Sequence, residues 1–293
     1  MPHVHVNGTD IHYHIEGRGP AIVMIHPPFL GSRVFNYLRT DLAQDHRVVT
    51  IDVRGHGHSK AGDVRLTVPL IVEDIKQVMD RLDVEEGYVL GYSVGCMPAL
   101  EALITHPDRF TGGIILSGAA ELRDTRNRGL MRAASIGNRL RAKEAVVLPI
   151  ALGNADSRTT FHVLHNEGME GNAARFKEYS DSCIGYSCID RLRAIAAPVL
   201  LLCGADDPQF VQYARELHEH LAVSELYLVR GARHQLPTKA PDKTAAAIRT
   251  WIAKLEVQGN ADSFFEREAL DHELLEMGVL SERQAAFGNP QDL

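Results

Sequence analysis

Ser93 sits in Gly91-Tyr92-Ser93-Val94-Gly95, directly after the apolar run GYVLG and directly before a helix-forming stretch. A bare G-x-S-x-G occurs by chance, and a serine there can simply cap a helix. Between a buried strand and a helix it implies more. The serine must take strained backbone angles on a sharp turn, and glycines two before and two after relieve the crowding. A serine hydroxyl is a weak nucleophile until a base accepts its proton. Fifteen histidines are available, so position has to choose among them. His234 follows the apolar run ELYLVR in Gly231-Ala232-Arg233-His234, late in the chain. Asp206 and Asp207 follow PVLLLCG one strand earlier, and Asp207, three residues after Gly204, is preferred as the carboxylate that orients the imidazole. The chemistry such a set performs is nucleophilic acyl transfer, in the chain order Ser, Asp, His.

These residues need a scaffold that brings them to one edge. Short β-rich runs at 21–25, 47–51, 87–91, 112–117, 198–203 and 225–230 are nearly continuous in hydrophobicity, as strands covered on both faces are. Between them lie amphipathic stretches. In PLIVEDIKQVMDRLDV, Ile71, Ile75, Val78 and Leu82 recur at helical spacing behind Pro69, which suits a helix start. The alternation predicts an α/β fold with a mostly parallel central sheet and helices on both faces. Such sheets carry reactive groups at the carboxyl ends of their strands. Residues 3–15 read as a hairpin around Asn7-Gly8-Thr9-Asp10. With Gly8-Thr9 as its loop, Val6 would face Ile11, and four histidines (His3, His5, His12 and His14) would share a solvent-facing surface.

The alternation breaks between 118 and 190, an arginine-rich segment with helical pieces, and resumes at PVLLLC. The expected organisation is therefore a core of 1–117 and 191–256, a helical lid insertion at 118–190, and a C-terminal helical appendix at 257–293. In the appendix Ser263 is the expected cap and Gly278 the stop. Phe264, Phe265, Leu270, Leu274 and Leu275 must bury apolar surface, on this domain or in a homodimer through residues 261–293.

The net charge of −7 and pI near 6.1 supply no basic field for nucleic acid or anionic lipid. No apolar run approaches the roughly 18–20 residues that span a bilayer, and the first residues lack the pattern of a secretory leader. The expected address is cytoplasmic. Cys96 and Cys203 read as core residues. Cys183 and Cys188 are spaced for a disulfide, but free thiols are expected in a reducing compartment. Neither the cysteines nor the histidine-rich hairpin encloses a metal site, and no cofactor is expected.

Taken together, HPPFLGS (26–32), IDVRGHGHS (51–59), GYSVG (91–95), CGADDP (203–208) and GARH (231–234) resemble the ordered motifs of the α/β-hydrolase superfamily. They are most similar to its small cofactor-free branch of serine esterases, haloperoxidases and C–C hydrolases. The resemblance covers about residues 3–256. It implies Ser93, Asp207 and His234 as catalytic residues, with oxyanion donors at the backbone N–H of Val94 and in the loop after the first inner strand. His26 and Tyr92 are expected to contact the substrate. The loop departs from the family pattern: Pro28 falls at the usual donor position, and proline has no N–H. Either Phe29 takes over through a shifted loop, which is the expectation, or the hole has only Val94 on the backbone. Lys239 stands where the family often has an acid. The expected activity is hydrolysis of a small-molecule ester or lactone. One alternative on the same fold is C–C bond hydrolysis or cofactor-free oxygenation. Another, prompted by the appended helix, is a low-turnover ligand-binding or interaction protein.

Overall fold

Alternating inward-facing strands and amphipathic connections assemble into a nine-stranded sheet. The computed structural model describes residues 2–139, 143–256 and 263–282. The first half of the chain gives β1 (His3–Val6), β2 (Thr9–Glu16), β3 (Ala21–Ile25), α1 (Asn36–Leu42), β4 (Arg47–Ile51), α2 (Val68–Arg81), β5 (Gly87–Tyr92), α3 (Cys96–Thr105) and β6 (Phe110–Leu116). Among the described residues, four helices follow without a strand between them: α4 (Thr125–Arg139), α5 (Lys143–Asn154), α6 (Arg158–Glu170) and α7 (Ala173–Ile184). The alternation then resumes with β7 (Val199–Gly204), α8 (Pro208–His220), β8 (Ser224–Val229), α9 (Leu236–Lys239), α10 (Pro241–Glu256), α11 (Ser263–Glu276) and β9 (Val279–Ser281).

The strand order is β1-β2-β4-β3-β5-β6-β7-β8-β9, with β4, β3, β5, β6, β7 and β8 parallel to one another and β2 and β9 antiparallel to β4 and β8 respectively. Strand residues alternate between two buried clusters. Val23, Val89 and Leu201 face α2, α3 and α8, whereas Ile22, Leu90 and Leu202 face α1 and α10. Both faces being covered is why these strands read as unbroken apolar runs. The helix expected at 69–82 is α2. Thr67 caps it, accepting the N–H of Leu70, and Pro69 lies in the first turn.

Two expectations at the hairpin need correction. The turn is Asn7-Gly8, both at positive φ (45° and 70°), so His3 pairs with His12, Val4 with Ile11 and Val6 with Thr9. Asparagine and glycine tolerate that conformation, and β-branched Thr9 does not. The histidine surface is also not solvent-facing throughout. His12 is fully buried, with its Nδ1 2.8 Å from Asp52 Oδ2, and His14 lies on the stretch of β2 that β4 covers.

All four cysteines are buried and unbonded, Cys183 and Cys188 included. Among the described residues no helix is long and apolar enough to cross a membrane, and no cluster of three His, Cys, Asp or Glu side chains could hold a metal ion. In the appendix, Gly278 at φ +76° ends α11 as expected. The strand β9, which sequence patterning did not reveal, pairs antiparallel with β8. Leu274 is buried against the α10 side of the sheet. The side chains of Phe264 and Phe265, and residues 283–293, lie outside the described residues.

Candidate active site

Ser93 is the first residue after β5, and the chain there turns abruptly into α3. Its φ is +56°, a left-handed conformation that costs a serine on the order of 1–3 kcal/mol. The turn is possible because its flanks lack side chains. A Cβ on Gly91 would lie 2.5 Å from the Cys96 Cα, and one on Gly95 would lie 2.6 Å from the Ile25 carbonyl oxygen. The result is a hydroxyl held up at the carboxyl edge of the sheet. Val94, the next residue, is the second of a helical turn that starts at Ser93, so its N–H is among those a helix leaves without an internal acceptor.

Two other loops converge on this hydroxyl from the carboxyl ends of β7 and β8. His234 Nε2 lies 2.9 Å from Ser93 Oγ. On the other side of the ring, Nδ1 is 3.5 Å from Asp207 Oδ2, an ion-pair distance longer than a strong hydrogen bond. Phe210 packs on the imidazole with ring centres 4.2 Å apart, and Tyr92 lies at 5.5 Å on another side. Asp207 also accepts the Phe210 N–H as the cap of α8. Burial pushes its carboxyl upward, but the His234 ring and the Phe210 N–H outweigh this and hold it below the usual carboxylate range. Asp206 is exposed and uses its N–H on the Ala232 carbonyl. An imidazole nitrogen this close to a hydroxyl can accept its proton, and a carboxylate behind the ring favours the resulting cation.

These groups open into a cavity of about 720 Å³. Ser93, Val94, Tyr92, Asp207 and His234 line it from the sheet edge. Pro27, Pro28 and Phe29 line it from the loop after β3. Met131, Val146 and Ile150, from α4 and α5, contribute an apolar wall. Phe29 is the non-glycine residue at positive φ in that loop (+71°), and its buried ring packs on Phe176 of α7. Among the described residues its N–H donates to no protein acceptor.

Of the residues singled out from sequence, His26 is the one the structure keeps out of the cavity. It is fully buried, with Nδ1 2.8 Å from the Pro27 oxygen and Nε2 accepting the Val53 N–H at 2.9 Å. Both nitrogens are occupied, so His26 braces the loop instead of meeting a ligand. Tyr92 does reach the cavity, and its hydroxyl donates to Asn154 Oδ1 at 2.8 Å. Sequence reasoning passed over Asp52. Its Oδ1 accepts the Ser32 N–H at 2.7 Å and its Oδ2 the His58 N–H at 2.9 Å, tying the β3 and β4 loops together. Its place in IDVRGHGHS was visible, but nothing in the pattern says what the carboxylate holds. Asn154 lies in the helical insertion, where no signal marked it.

Comparison with known proteins sets this geometry in a family. The family model described as alpha/beta hydrolase fold matches residues 20–237, and the chain belongs to that family. Its relatives include the human serine hydrolase BPHL, 27% identical over 82% of each chain. A Bacillus subtilis protein with the provisional name 2-succinyl-6-hydroxy-2,4-cyclohexadiene-1-carboxylate synthase is 26% identical, over 82% of this chain and 95% of the relative. The enol-lactonase from Burkholderia xenovorans LB400 superposes with a TM-score of 0.78 at 19% identity, covering 86% of this chain and 100% of that one. At that identity the likeness speaks to the fold. The chain has the fold of the alpha/beta hydrolases.

Proposed function

We propose that the protein hydrolyses small carboxylic esters or lactones through an acyl-enzyme on Ser93. The observation that carries this reading is the 2.9 Å approach of His234 Nε2 to Ser93 Oγ at the floor of a largely apolar cavity. Ser93 Oγ attacks the carbonyl carbon while His234 Nε2 takes the hydroxyl proton, and Asp207 stabilises the imidazolium. The carbonyl oxygen becomes an oxyanion facing the N–H groups of Val94 and Phe29. Collapse of the tetrahedral intermediate breaks the C–O bond, and His234 returns its proton to the departing alkoxide. In a lactone that alkoxide stays tethered to the acyl group. Water then attacks the acyl carbon, giving its proton to His234, and a second collapse frees the acid and restores the Ser93 hydroxyl.

The 118–190 insertion acts as the lid of this site, because α4 and α5 form the wall opposite the sheet edge. Its apolar character suits the acyl chain of the substrate. The reading is in keeping with the names serine hydrolase and enol-lactonase carried by the proteins it resembles. The test is turnover of p-nitrophenyl esters of increasing acyl length and of simple lactones, by the wild type and by Ser93→Ala. Multiple turnovers abolished by the substitution support the reading. Turnover of neither class, or turnover that survives in Ser93→Ala, overturns it.

A further inference from the structure

The loop that would donate from Phe29 has no N–H at Pro27 or Pro28 and holds Phe29 at positive φ. A strained donor is useful only if its surroundings fix it. Two carboxylates do so. Asp52 takes the Ser32 N–H, as described above. The next N–H, that of Arg33, donates to Glu167, whose oxygens both lie 3.3 Å away. Glu167 belongs to α6, within the helical insertion, and its side chain is fully buried. The fit is close on both sides of the turn. A Cβ on Gly31 would stand 2.3 Å from Glu167 Cδ, and a Cβ on Gly168 would stand 2.8 Å from the Phe29 oxygen. A buried carboxyl with so few partners costs stability that an apolar side chain of equal size would avoid. Packing alone does not account for it.

We propose that Glu167 is a positioning residue for the oxyanion-binding loop: by clamping Arg33 and filling the space left by Gly31, it fixes the direction of the Phe29 N–H. This rests on the reading of Ser93 as nucleophile and Phe29 as donor, and extends it by making a lid helix part of the machinery that stabilises the transition state. Burial, with the Asp52 charge beside it, pushes the Glu167 carboxyl well above the usual range, against the pull of Arg33. Glutamine is therefore the conservative replacement, neutral and able to accept the same N–H.

The experiment compares wild type, Glu167→Gln and Glu167→Ala on p-nitrophenyl butyrate, with active sites counted by fluorophosphonate titration. Inhibition by an alkyl trifluoromethyl ketone, whose hemiketal oxyanion mimics the intermediate, is measured alongside. Glu167→Ala should lose about tenfold in kcat per labelled site, a part of the roughly 100–1000-fold that a missing donor costs. KM should stay within about threefold, and inhibitor affinity should fall in step with kcat. Glu167→Gln should keep at least about half of the wild-type kcat. Were Glu167→Ala too unstable to purify, Gly31→Ala, which displaces the same carboxyl, should show the same split. A loss confined to active-site count or to KM, with kcat per labelled site and inhibitor affinity unchanged, overturns the proposal. A wild type that takes up no fluorophosphonate instead overturns the nucleophile reading beneath it.

Discussion

His234 Nε2 meets Ser93 Oγ at 2.9 Å across 141 residues of chain, and each side chain is delivered by the carboxyl end of a different parallel strand. Asp207 stands further off, 3.5 Å from His234 Nδ1, and also caps α8. The two tasks can be separated.

Asparagine caps a helix about as well as aspartate, but it carries no charge to stabilise an imidazolium and favours the wrong histidine tautomer. Asp207→Asn should therefore leave the thermal midpoint within a few degrees while kcat falls by roughly 1000–10,000-fold. Asp207→Ala should lose both, with about 1 kcal/mol of stability going with the cap. Kinetics and thermal melts on the two variants check this. Activity of Asp207→Asn within tenfold of wild type would contradict it.

Acid should weaken the fold before most carboxylates titrate. Burial, with the Arg39 charge behind it, lowers the His14 pKa from 6.5 to about 4. His12 adds to the lowering, and Asp52 opposes it. Burial also pushes His26 and His56 down. Each of these rings refuses in the folded state a proton that it would take when unfolded. The stability tied to His14 is complete above pH 6.5 and is lost as the pH falls from 6.5 towards 4. Urea midpoints measured across that window should drop, and should drop less in His14→Gln. A flat or rising midpoint in the wild type would contradict the assignment.

The appendix should matter to stability more than to chemistry. Lys254 is buried, and its ammonium contacts the Tyr227 hydroxyl at 2.7 Å together with Asp271 of α11. A chain ending at Glu256 loses Asp271, Leu274 and β9, which leaves a buried cation under-paired and β8 as a bare edge. Asp271 is 40% exposed and Glu225 stays 3.7 Å from Lys254, so losing the pair costs only about 1 kcal/mol; with the burial of Leu274 lost as well, the midpoint should fall by several degrees. Calorimetry with light scattering checks the expectation, which is a lowered midpoint and aggregation. An unchanged midpoint would contradict it.

The convergence of Ser93, Asp207 and His234 was legible because its markers are local. Gly91 and Gly95 are needed for a turn that only small flanks permit, and Ser93, Asp207 and His234 each follow a strand whose hydrophobicity is continuous. What stayed hidden depends on contacts across the chain. His12 reads as one of an exposed row until Asp52, 40 residues later, is seen to accept it. His26 opens a motif, yet its ring serves the loop backbone. Glu167 lies in a helix with no motif, and only the placement of α6 under Gly31 gives it a role. Strand β9 has three residues, too few for a periodic signal, and exists because β8 offers it an edge.

The central claim is that the hydroxyl at 93 is the group that becomes acylated. Incubation with a fluorophosphonate followed by proteolysis and peptide mass mapping reads it directly. A single adduct on the peptide carrying Ser93, absent in Ser93→Ala and greatly slowed in His234→Ala, is the predicted result. An adduct on another residue, or one that persists in Ser93→Ala, would contradict the account.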